Sequence, residues 1–351
     1  LGAVPEGGWS DEYKTTKIVL RRIVPGEFTM GDEHDKTNGP HHVTLTKPYY
    51  IGVFEITQRQ WEIVAMCGMM ECGRFPSWFS SARPNGVYPR PVESCTWENI
   101  TSGNWKAWQD RKYFLAALRC LIKGLKGDGL DLAFNLPTEA QWEYAARAGA
   151  ATDYGNGTGC GDDKLLRNAL MNILGRYRDN GGDNGSGKLV PPDDGGTANV
   201  GSYEPNGWGL YDMHGNVDEL CRDYASQSKL ENAKDPCYGG NSNYRVVRGG
   251  HWGSGSTGTV LSARRTRKKD DGEYKIGFRL VYEMSAESAV CTVTYDANGG
   301  RCRVSKQTAA SGTKMTCLPL VTREGHVFEG WYTEKIGGLR VTESTLFAQD
   351  M

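Results

Sequence analysis

The frequency of glycine constrains the fold more than any other feature of this sequence. The chain has 46 glycines among its 351 residues, together with 10 tryptophans and 17 tyrosines. Glycine weakens helices and strands because it loses the most conformational freedom on folding, and it is favoured in tight turns. Large aromatic side chains bury much apolar surface and act as anchors. The combination predicts a fold rich in loops that aromatic side chains hold in place.

Charge and cysteine content exclude several classes of protein. The chain has 41 basic and 42 acidic side chains and a net charge of −1, so no overall positive field attracts nucleic acid. No run of about 20 apolar residues is present, and we expect no membrane span. The 10 cysteines are too sparse for a disulfide scaffold, and none forms a C-x-x-C pair. At this length we expect a large globular domain followed by a small one.

Threonine marks two predicted helix starts. Thr57 precedes QRQWEIVAMC, and Thr138 precedes a helical run in which Gln141 stands three residues later, the spacing of a capping box. A further helix is predicted over 105–124. Residues 150–207, rich in Gly, Asp and Asn, are predicted to form one long irregular loop, which in a compact domain is usually functional or held by ions.

Composition divides the chain into four segments. Residues 1–16 are a Gly- and Pro-containing approach segment, and residues 17–283 form the main domain, which closes with a strand at IGFRLVYE (276–283). Residues 284–290 are small and polar, as in a linker. Residues 291–351 are predicted to form a separate small β-module.

The small module carries two short motifs, TYDANGG and EGWYTEKIGG, with Trp331 and Tyr332 as core candidates. In order and spacing they resemble the Listeria–Bacteroides repeat of bacterial surface proteins. The resemblance implies a compact β-grasp-like module on an exported protein. We therefore expect the chain to be extracellular or at the cell surface.

Seven segments of the main domain occur in the order seen in one enzyme family. They are PGEFTMG, YYIGVFEITQRQW, YPRPVESCTW, FNLPTEAQWEYAARAG, PNGWGLYDMHGNVDEL, RVVRGGHW and IGFRL. With these motifs the chain resembles the formylglycine-generating enzymes, also called sulfatase-modifying factors. The resemblance implies an α+β fold, a loop-rich elaboration of the C-type lectin fold.

The copper ligands of this family are not matched. Family members oxidise a sulfatase cysteine with copper held by two cysteines shortly after the RGG-x-W motif, here Arg248–Trp252. Ser254 stands at the first ligand position, the second falls near Gly258 or Thr259, and no cysteine occurs between Cys237 and Cys291. Cu(I) requires soft thiolate ligands, which hydroxyl groups do not replace. We therefore expect neither copper binding nor the oxidase activity, although a cysteine from a distant loop could still supply a ligand.

Calcium is the cofactor that the resemblance still implies. The first site would use Asp212, the carbonyl groups of Gly215 and Val217, and Glu219. The second would use Asn172, the carbonyl group of Ile173, and an acidic residue near Asp193 or Asp194. Carboxylates and carbonyls suit a hard cation. The alternative for Asp212 and Glu219 is a structural role in capping a turn.

The segment after the RGG-x-W motif offers a different activity. In a subset of this fold class, ligand-binding proteins diversified by retroelements vary the residues between this motif and the final GFR strand. The predicted ligand-binding residues here are His251, Trp252, Gly253, Ser254, Gly255, Thr257, Arg265, Thr266, Arg267, Lys268, Asp270, Asp271, Glu273, Tyr274 and Lys275. Small polar residues interspersed with Tyr and Arg are typical of adaptable binding surfaces. Adenine-directed change of asparagine codons cannot produce the lysines of this segment, so active diversification is an open question.

Three functions therefore remain open. The first is a non-catalytic protein that binds a protein, peptide or glycan ligand at this variable-type face. The second is an oxidase of the parent family with displaced copper ligands. The third is a structural or adhesion protein in which residues 253–275 are only a solvated loop. Because basic side chains outnumber acidic ones from Arg264 to Lys275, the first function favours an acidic or polar partner.

Overall fold

The structure is a computed structural model, and the chain divides into two compact units, residues 1–283 and 284–351. The predicted linker falls at this division, and its residues 284–289 lie outside the described residues. The described residues are 4–5, 8–33, 39–68, 76–80, 89–101, 113–126, 134–159, 163–180, 195–225, 232–283, 290–310, 318–334, 338–342 and 345.

The helices of the larger unit are short. They are α1 (Asp11–Thr15), α2 (Gln58–Gly68), α3 (Trp97–Ile100), α4 (Phe114–Lys126), α5 (Glu139–Arg147) and α6 (Lys164–Leu174). Both predicted threonine caps are confirmed. Thr57 exchanges hydrogen bonds with Gln60 at the start of α2, and Thr138 does so with Gln141 at the start of α5. Among the described residues, no helix is long and apolar enough to cross a membrane.

Two expectations about helices need correction, and a third is confirmed over its described residues. Helix α6 lies inside residues 150–207, which were predicted to be irregular; its cap is Asp163, and its buried face comprises Leu170, Met171 and Leu174. The Gly- and Asp-rich surroundings hide this helical spacing. Helix α1 lies in the predicted approach segment. The helix predicted over 105–124 is observed as α4, and residues 102–112 lie outside the described residues.

The strands of the larger unit are also short. They are β1 (Leu20–Ile23), β2 (Gly26–Met30), β3 (His41–Leu45), β4 (Tyr49–Gly52), β5 (Phe134–Asn135), β6 (Asp218–Tyr224), β7 (Ala233–Lys234), β8 (Tyr244–Arg248), β9 (Arg264–Lys268), β10 (Ile276–Gly277) and β11 (Val281–Glu283). They form sheets in the orders β1-β4-β11-β5, β10-β6-β8-β9 and β2-β3-β7. The predicted closing strand is β10 followed by β11, and β11 pairs antiparallel with β4, with Val281 opposite Ile51.

The sheet β10-β6-β8-β9 positions the segment of interest. Strands β8 and β9 are antiparallel, with Tyr244 opposite Lys268 and Arg248 opposite Arg264. Strand β10 runs parallel to β6, with Ile276 opposite Asp218. The chain therefore leaves the end of the central strand β8, returns along one edge of this sheet as β9, and after residue 275 enters the other edge as β10.

Two large hydrophobic clusters and a smaller one that includes the buried face of α6 fill the described part of the larger unit. In one of the large clusters, the rings of Trp61 and Phe114 stack at 4.9 Å, and Phe278 packs edge-on against both. The other large cluster contains Trp142, which is fully buried, and Met213. These aromatic anchors fix loops from distant parts of the chain, as the composition predicts.

The smaller unit consists of short two-stranded ribbons in its described part. Its strands are β12 (Val290–Thr294), β13 (Arg301–Cys302), β14 (Lys306–Ala310), β15 (Val321–Thr322), β16 (Trp331–Tyr332) and β17 (Arg340–Val341), paired as β12-β14, β13-β15 and β16-β17. Trp331 is buried and donates its indole N–H to the carbonyl of Pro319 at 2.7 Å. Tyr332 is 47% exposed, because adjacent strand residues point to opposite faces. Of the two predicted core candidates, only Trp331 is therefore a core residue.

Candidate functional site

A glycine turn directs the chain out of β8 and into the candidate site. Gly249 and Gly250 both have positive φ angles, +87° and +79°, and a side chain on Gly250 would lie 2.5 Å from the carbonyl oxygen of Gly258. Only glycine fits this conformation in so tight a space. The turn places His251 and Trp252 beside the loop 253–259. The backbone N–H of Trp252 donates to the carbonyl of Asn216 at 2.9 Å and anchors this residue.

Of the four hydroxyl groups in the loop 253–259, those of Ser254 and Thr259 are occupied by internal hydrogen bonds. Ser254 Oγ accepts the backbone N–H of His251 at 3.1 Å. Thr259 Oγ1 donates to the carbonyl of Ser256 at 2.9 Å and lies 3.1 Å from Met171 Sδ. Thr259 is fully buried. Both groups therefore stabilise the loop itself.

Strand β9 divides the predicted ligand-binding residues between two faces of the sheet. Arg265 Nη1 and Arg267 Nη2 each bind a different oxygen of Asp218, at 2.9 and 3.0 Å. Thr266 and Lys268 alternate with them along the strand, so their side chains point to the opposite face. The expectation of one continuous surface is therefore corrected.

A shallow concavity lies on that opposite side of β9. Its lining residues are Tyr244, Thr266, Lys268, Asp270 and Asp271, and Arg267 borders it as well. The predicted residues Thr266, Lys268, Asp270 and Asp271 thus form a second group, separate from His251 and Trp252.

Aromatic rings gather where the segment returns to the sheet. Tyr274 stacks on Trp252 at 5.8 Å, and both contact Phe79 edge-on. Trp78 lies against Tyr274 at 6.4 Å and is 64% exposed, whereas Trp252 is buried. The ammonium group of Lys275 lies over the rings of Tyr274 and Trp252, at 5.4 and 5.8 Å.

We call this group of side chains the basic aromatic face. Its members are Trp78, Phe79, His251, Trp252, Arg265, Arg267, Tyr274 and Lys275. Sequence reasoning missed Trp78 and Phe79, which lie in a stretch without regular periodicity. Their backbone N–H groups donate to the buried carboxylate of Glu93, at 3.1 and 3.0 Å. The adjacent Trp and Phe in that Pro- and Ser-containing stretch were the available signal.

His251 is a neutral hydrogen-bonding group at the centre of this face. Its Nδ1 accepts the backbone N–H of Gly253 at 3.0 Å, so the ring proton resides on Nε2. Burial lowers the pKa of His251 to about 3, and the positive charges of Lys275, Arg265 and Arg267 contribute further. The ring therefore offers a donor and no charge at neutral pH.

The remaining predicted residues lie around the loop. Gly255 lies next to the guanidinium group of Arg178, and Thr257 is exposed. Glu273 is half-buried and anchors the return of the chain through its carbonyl oxygen, which accepts the N–H groups of Ser94 and Ile276. Arg178, like Asp218, was not predicted.

A second group of charged side chains is buried under the sheet. Glu219 accepts hydrogen bonds from Arg279 Nε and Nη2, both at 2.6 Å, and from the indole N–H of Trp142 at 2.7 Å. Asp212 Oδ2 accepts the N–H of Gly201 at 2.6 Å, and its Oδ1 is buried with no hydrogen-bond donor. Burial raises the pKa of Asp212 to about 6.

Comparison with known proteins identifies the family. The profile of the Sulfatase-modifying factor enzyme 1-like domain matches residues 11–284. The chain belongs to this family. Residues 292–351 match the Listeria-Bacteroides repeat domain.

Individual relatives agree with this assignment. The formylglycine-generating enzyme of Streptomyces coelicolor is 28% identical over 311 residues, which cover 82% of this chain and 96% of that enzyme. The formylglycine-generating enzyme of Mus musculus is 30% identical over 312 residues, 75% of each chain. Among solved structures, Treponema denticola variable protein 1 has a TM-score of 0.57 at 24% identity and covers 76% of this chain and 95% of its own. This likeness shows that the C-type lectin-like fold is shared.

The structure matches only part of the first calcium site that the family resemblance implies. The described structure leaves no free oxygen on Glu219, because Arg279 and Trp142 occupy its carboxylate. Asp212, in contrast, has an oxygen without a donor, and it adjoins two further carboxylates, Glu55 and Glu219. Glu55 is engaged by the side chain of Asn216 at 2.6 Å. The excess of negative charge and the free oxygen fit a cation at Asp212, so calcium stays a prediction for this residue, with the carbonyls of Gly215 and Val217 nearby in sequence.

The described residues support the second implied calcium site less than the first. Asn172 and Ile173 are exposed on α6, and the carbonyl of Ile173 accepts the N–H of Glu204 at 3.0 Å. Asp193 and Asp194 lie outside the described residues. Within the described ranges, no group of three or more His, Cys, Asp or Glu residues is arranged to hold a metal ion.

Proposed function

We propose that this chain is a non-catalytic ligand-binding protein that uses the basic aromatic face on a C-type lectin-like scaffold. The observation that carries the proposal is the state of Ser254, at the first copper-ligand position that the resemblance implies, and of Thr259, which with Gly258 is a candidate for the second. Their hydroxyl groups are committed to hydrogen bonds with His251 and Ser256. These positions therefore do not supply the pair of thiolates that copper-dependent oxidation of a sulfatase cysteine requires.

Two cysteines of the described structure, Cys95 and Cys221, support this proposal by their burial, whereas Cys237 is exposed. Cys95 and Cys221 are buried in two different hydrophobic clusters, and burial raises the pKa of the Cys95 thiol above its usual range. Cys120 lies on α4 and Cys302 on β13. A thiol buried among apolar groups resists the deprotonation that metal binding requires.

The basic aromatic face adjoins Ser254 and Thr259, and its side chains are of the kinds that bind ligands. Loops on a rigid scaffold commonly carry binding residues, and this face combines exposed Trp78 with half-buried Tyr274 and two arginines. Such residues provide large contact areas at low entropic cost. We also propose a location at the cell surface, which the Listeria-Bacteroides repeat match favours.

A peptide conversion assay tests the loss of oxidase activity. A sulfatase-type peptide with one cysteine is incubated with the protein, Cu(I) and oxygen, and mass spectrometry measures conversion of the cysteine to formylglycine. We expect no conversion, with the Streptomyces coelicolor relative as the active control. Conversion would overturn the proposal in favour of an oxidase with displaced copper ligands.

Restoring the ligand pair tests whether Ser254 and Thr259 are the right positions. We expect the double variant Ser254→Cys/Thr259→Cys to bind one Cu(I) in competition with a chromogenic Cu(I) chelator. The wild type and the single variant Ser254→Cys are the matched controls, and neither should compete. Equal copper binding by the wild type would contradict the proposal, and no binding by the double variant would show that the two positions do not correspond to the family's copper ligands.

A further inference from the structure

The basic aromatic face retains positive charge that its own acidic residues do not neutralise. Arg265 and Arg267 share the single carboxylate of Asp218. Lys275 lies over aromatic rings, and within the described structure it forms no ion pair. Glu93, the buried acid beneath the face, is occupied by backbone N–H groups and by the hydroxyl of Ser94. With Asp218 and Glu93 both counted as ionised, the three cations Arg265, Arg267 and Lys275 leave one positive charge in excess at this face.

Apart from the hydroxyl of Tyr274, which can also accept, the polar side chains of this face are donors. His251 has its proton on Nε2, and the guanidinium and ammonium groups of Arg265, Arg267 and Lys275 can only donate. The carboxylate of Asp218, which could accept, is held by both arginines and is fully buried. A complementary ligand must therefore be rich in acceptors and negatively charged.

The face also carries an apolar anchor point. Trp78 is 64% exposed and leans on Tyr274, which in turn stacks on the buried Trp252. Trp, Tyr and Arg are the residues that dominate the energetics of protein–protein interfaces, and complementary charge selects the partner. This composition favours a polypeptide over a glycan.

We propose that the basic aromatic face binds an acidic peptide segment of a protein partner, one that carries Asp or Glu beside an apolar anchor residue. This inference rests on the ligand-binding function proposed above. The carboxylates contact Arg265, Arg267 and Lys275, and the anchor residue packs on Trp78 and Tyr274. The guanidinium groups are fixed in advance by Asp218, which lowers the entropy lost when they bind.

Selection from two peptide libraries tests the inference on the full chain. One displayed library draws each position from Asp, Glu, Trp, Tyr, Leu and Gly, and the other replaces Asp and Glu with Asn and Gln. We expect binders from the acidic library alone. Their affinity should fall at least about threefold between about 0.1 M and 1 M salt, as the Debye length shortens from about 10 Å to about 3 Å.

Matched variants locate the contact. Lys275→Gln should weaken a selected peptide about threefold to tenfold, and Lys268→Gln, on the opposite face of β9, should change affinity less than about twofold. Trp78→Ala should weaken it at least about tenfold, and Tyr244→Ala, equally a partly exposed aromatic, should leave it unchanged. Circular dichroism and the unfolding temperature verify that each variant folds.

The outcomes separate this inference from the proposed function. Failure of the acidic library, or equal effects of Lys275→Gln and Lys268→Gln, would overturn the acidic-peptide inference. Heparin that binds more tightly than any selected peptide, and loses affinity in Lys275→Gln, would also overturn it, while leaving ligand binding at this face intact. Conversion of the cysteine peptide in the copper assay would instead overturn the proposed function itself.

Discussion

Arg279 holds Glu219 in a bidentate ion pair, with both N···O distances at 2.6 Å and neither side chain exposed. The same guanidinium group donates to the carbonyls of Gly52 and Tyr211. It thereby links β4 and the loop before β6 to the segment between β10 and β11. A buried charge with so many partners is costly to leave alone.

Replacing Arg279 should therefore destabilise the larger unit strongly. We expect Arg279→Met to lower the free energy of unfolding by about 3–5 kcal/mol, because Glu219 is left buried and without its counter-charge. The matched control is Arg59→Met, which breaks the partly exposed pair with Glu62 and should cost at most about 1 kcal/mol. Urea unfolding measures both free energies, provided that their dependence on urea concentration is unchanged. Equal losses in the two variants would contradict a special role for the buried pair.

Gly215 should tolerate no side chain, for reasons of space as well as backbone angle. Its φ is +90°, and a Cβ would collide with the carbonyl of Arg176, which is fixed because it accepts the N–H of Asn216. Gly149 has nearly the same φ, +85°, but open space around it. We expect Gly149→Ala to cost about 1–2 kcal/mol and Gly215→Ala at least about 3 kcal/mol, as overpacking adds to the backbone strain. Chemical unfolding of both variants checks the difference, and similar costs would show that the loop around Gly215 can shift.

His214 should make stability fall as the medium becomes acidic. Burial lowers its pKa to about 4, while its ring bonds the carbonyl of Thr259 at 2.8 Å and the N–H of Gly155 at 3.2 Å. Between pH 6.5 and pH 4 the unfolded chain takes up a proton on this histidine and the folded chain does not, so the folded state loses up to about 3 kcal/mol relative to the unfolded state.

The measurement for His214 compares variants at each pH, because other groups act in the opposite direction. Burial raises the pKa of Asp223 to about 6, so its protonation favours the folded state over the same range. We expect the unfolding free energy of His214→Asn to fall less steeply from pH 6.5 to pH 4 than that of the wild type. His42→Asn, on the exposed side of β3, serves as the matched control for the removal of a histidine. Parallel curves for His214→Asn and wild type would exclude this histidine as the cause.

Calcium should act through Asp212. Three carboxylates, Glu55, Asp212 and Glu219, share Arg279 as their buried cation, and one oxygen of Asp212 has no donor. We expect Ca²⁺ to raise the unfolding temperature, with about 2.7 kcal/mol gained at a concentration of 100 times the dissociation constant. Asp212→Asn, which keeps a residue type tolerant of the observed φ of 57°, should abolish the effect, and Asp271→Asn should not. Stabilisation that persists in Asp212→Asn would place the ion elsewhere, and its absence in the wild type would remove calcium from this domain.

Local signals predicted the helix starts well, and long-range pairing accounts for what was missed. The caps at Thr57 and Thr138 depend on residues three positions away, which the sequence displays directly. The contact between Phe79 and Trp252 joins loops more than 170 positions apart, and no local pattern indicates it. The family motifs predicted the scaffold because they span the whole domain.

The candidate site shows the same division. The segment 251–275 was expected to form one surface, yet the pairing of β8 with β9 sends Arg265 and Arg267 to one side and Thr266 and Lys268 to the other. Only the register of a strand decides this, and a five-residue run of basic and polar side chains has no apolar alternation to reveal it. Likewise, the engagement of Glu219 by Arg279 depends on a partner 60 positions away.

The attachment of β9 limits how freely this scaffold can be diversified. Arg264 binds Glu139 on α5, and Arg265 and Arg267 bind Asp218 on β6, so three of the five strand residues fix β9 to the rest of the domain. A randomised library that spans the whole strand would lose many members to misfolding. A library restricted to Thr266, Lys268 and the loop around Thr257 would keep these ion pairs, and new specificities would then be selected on an unchanged framework.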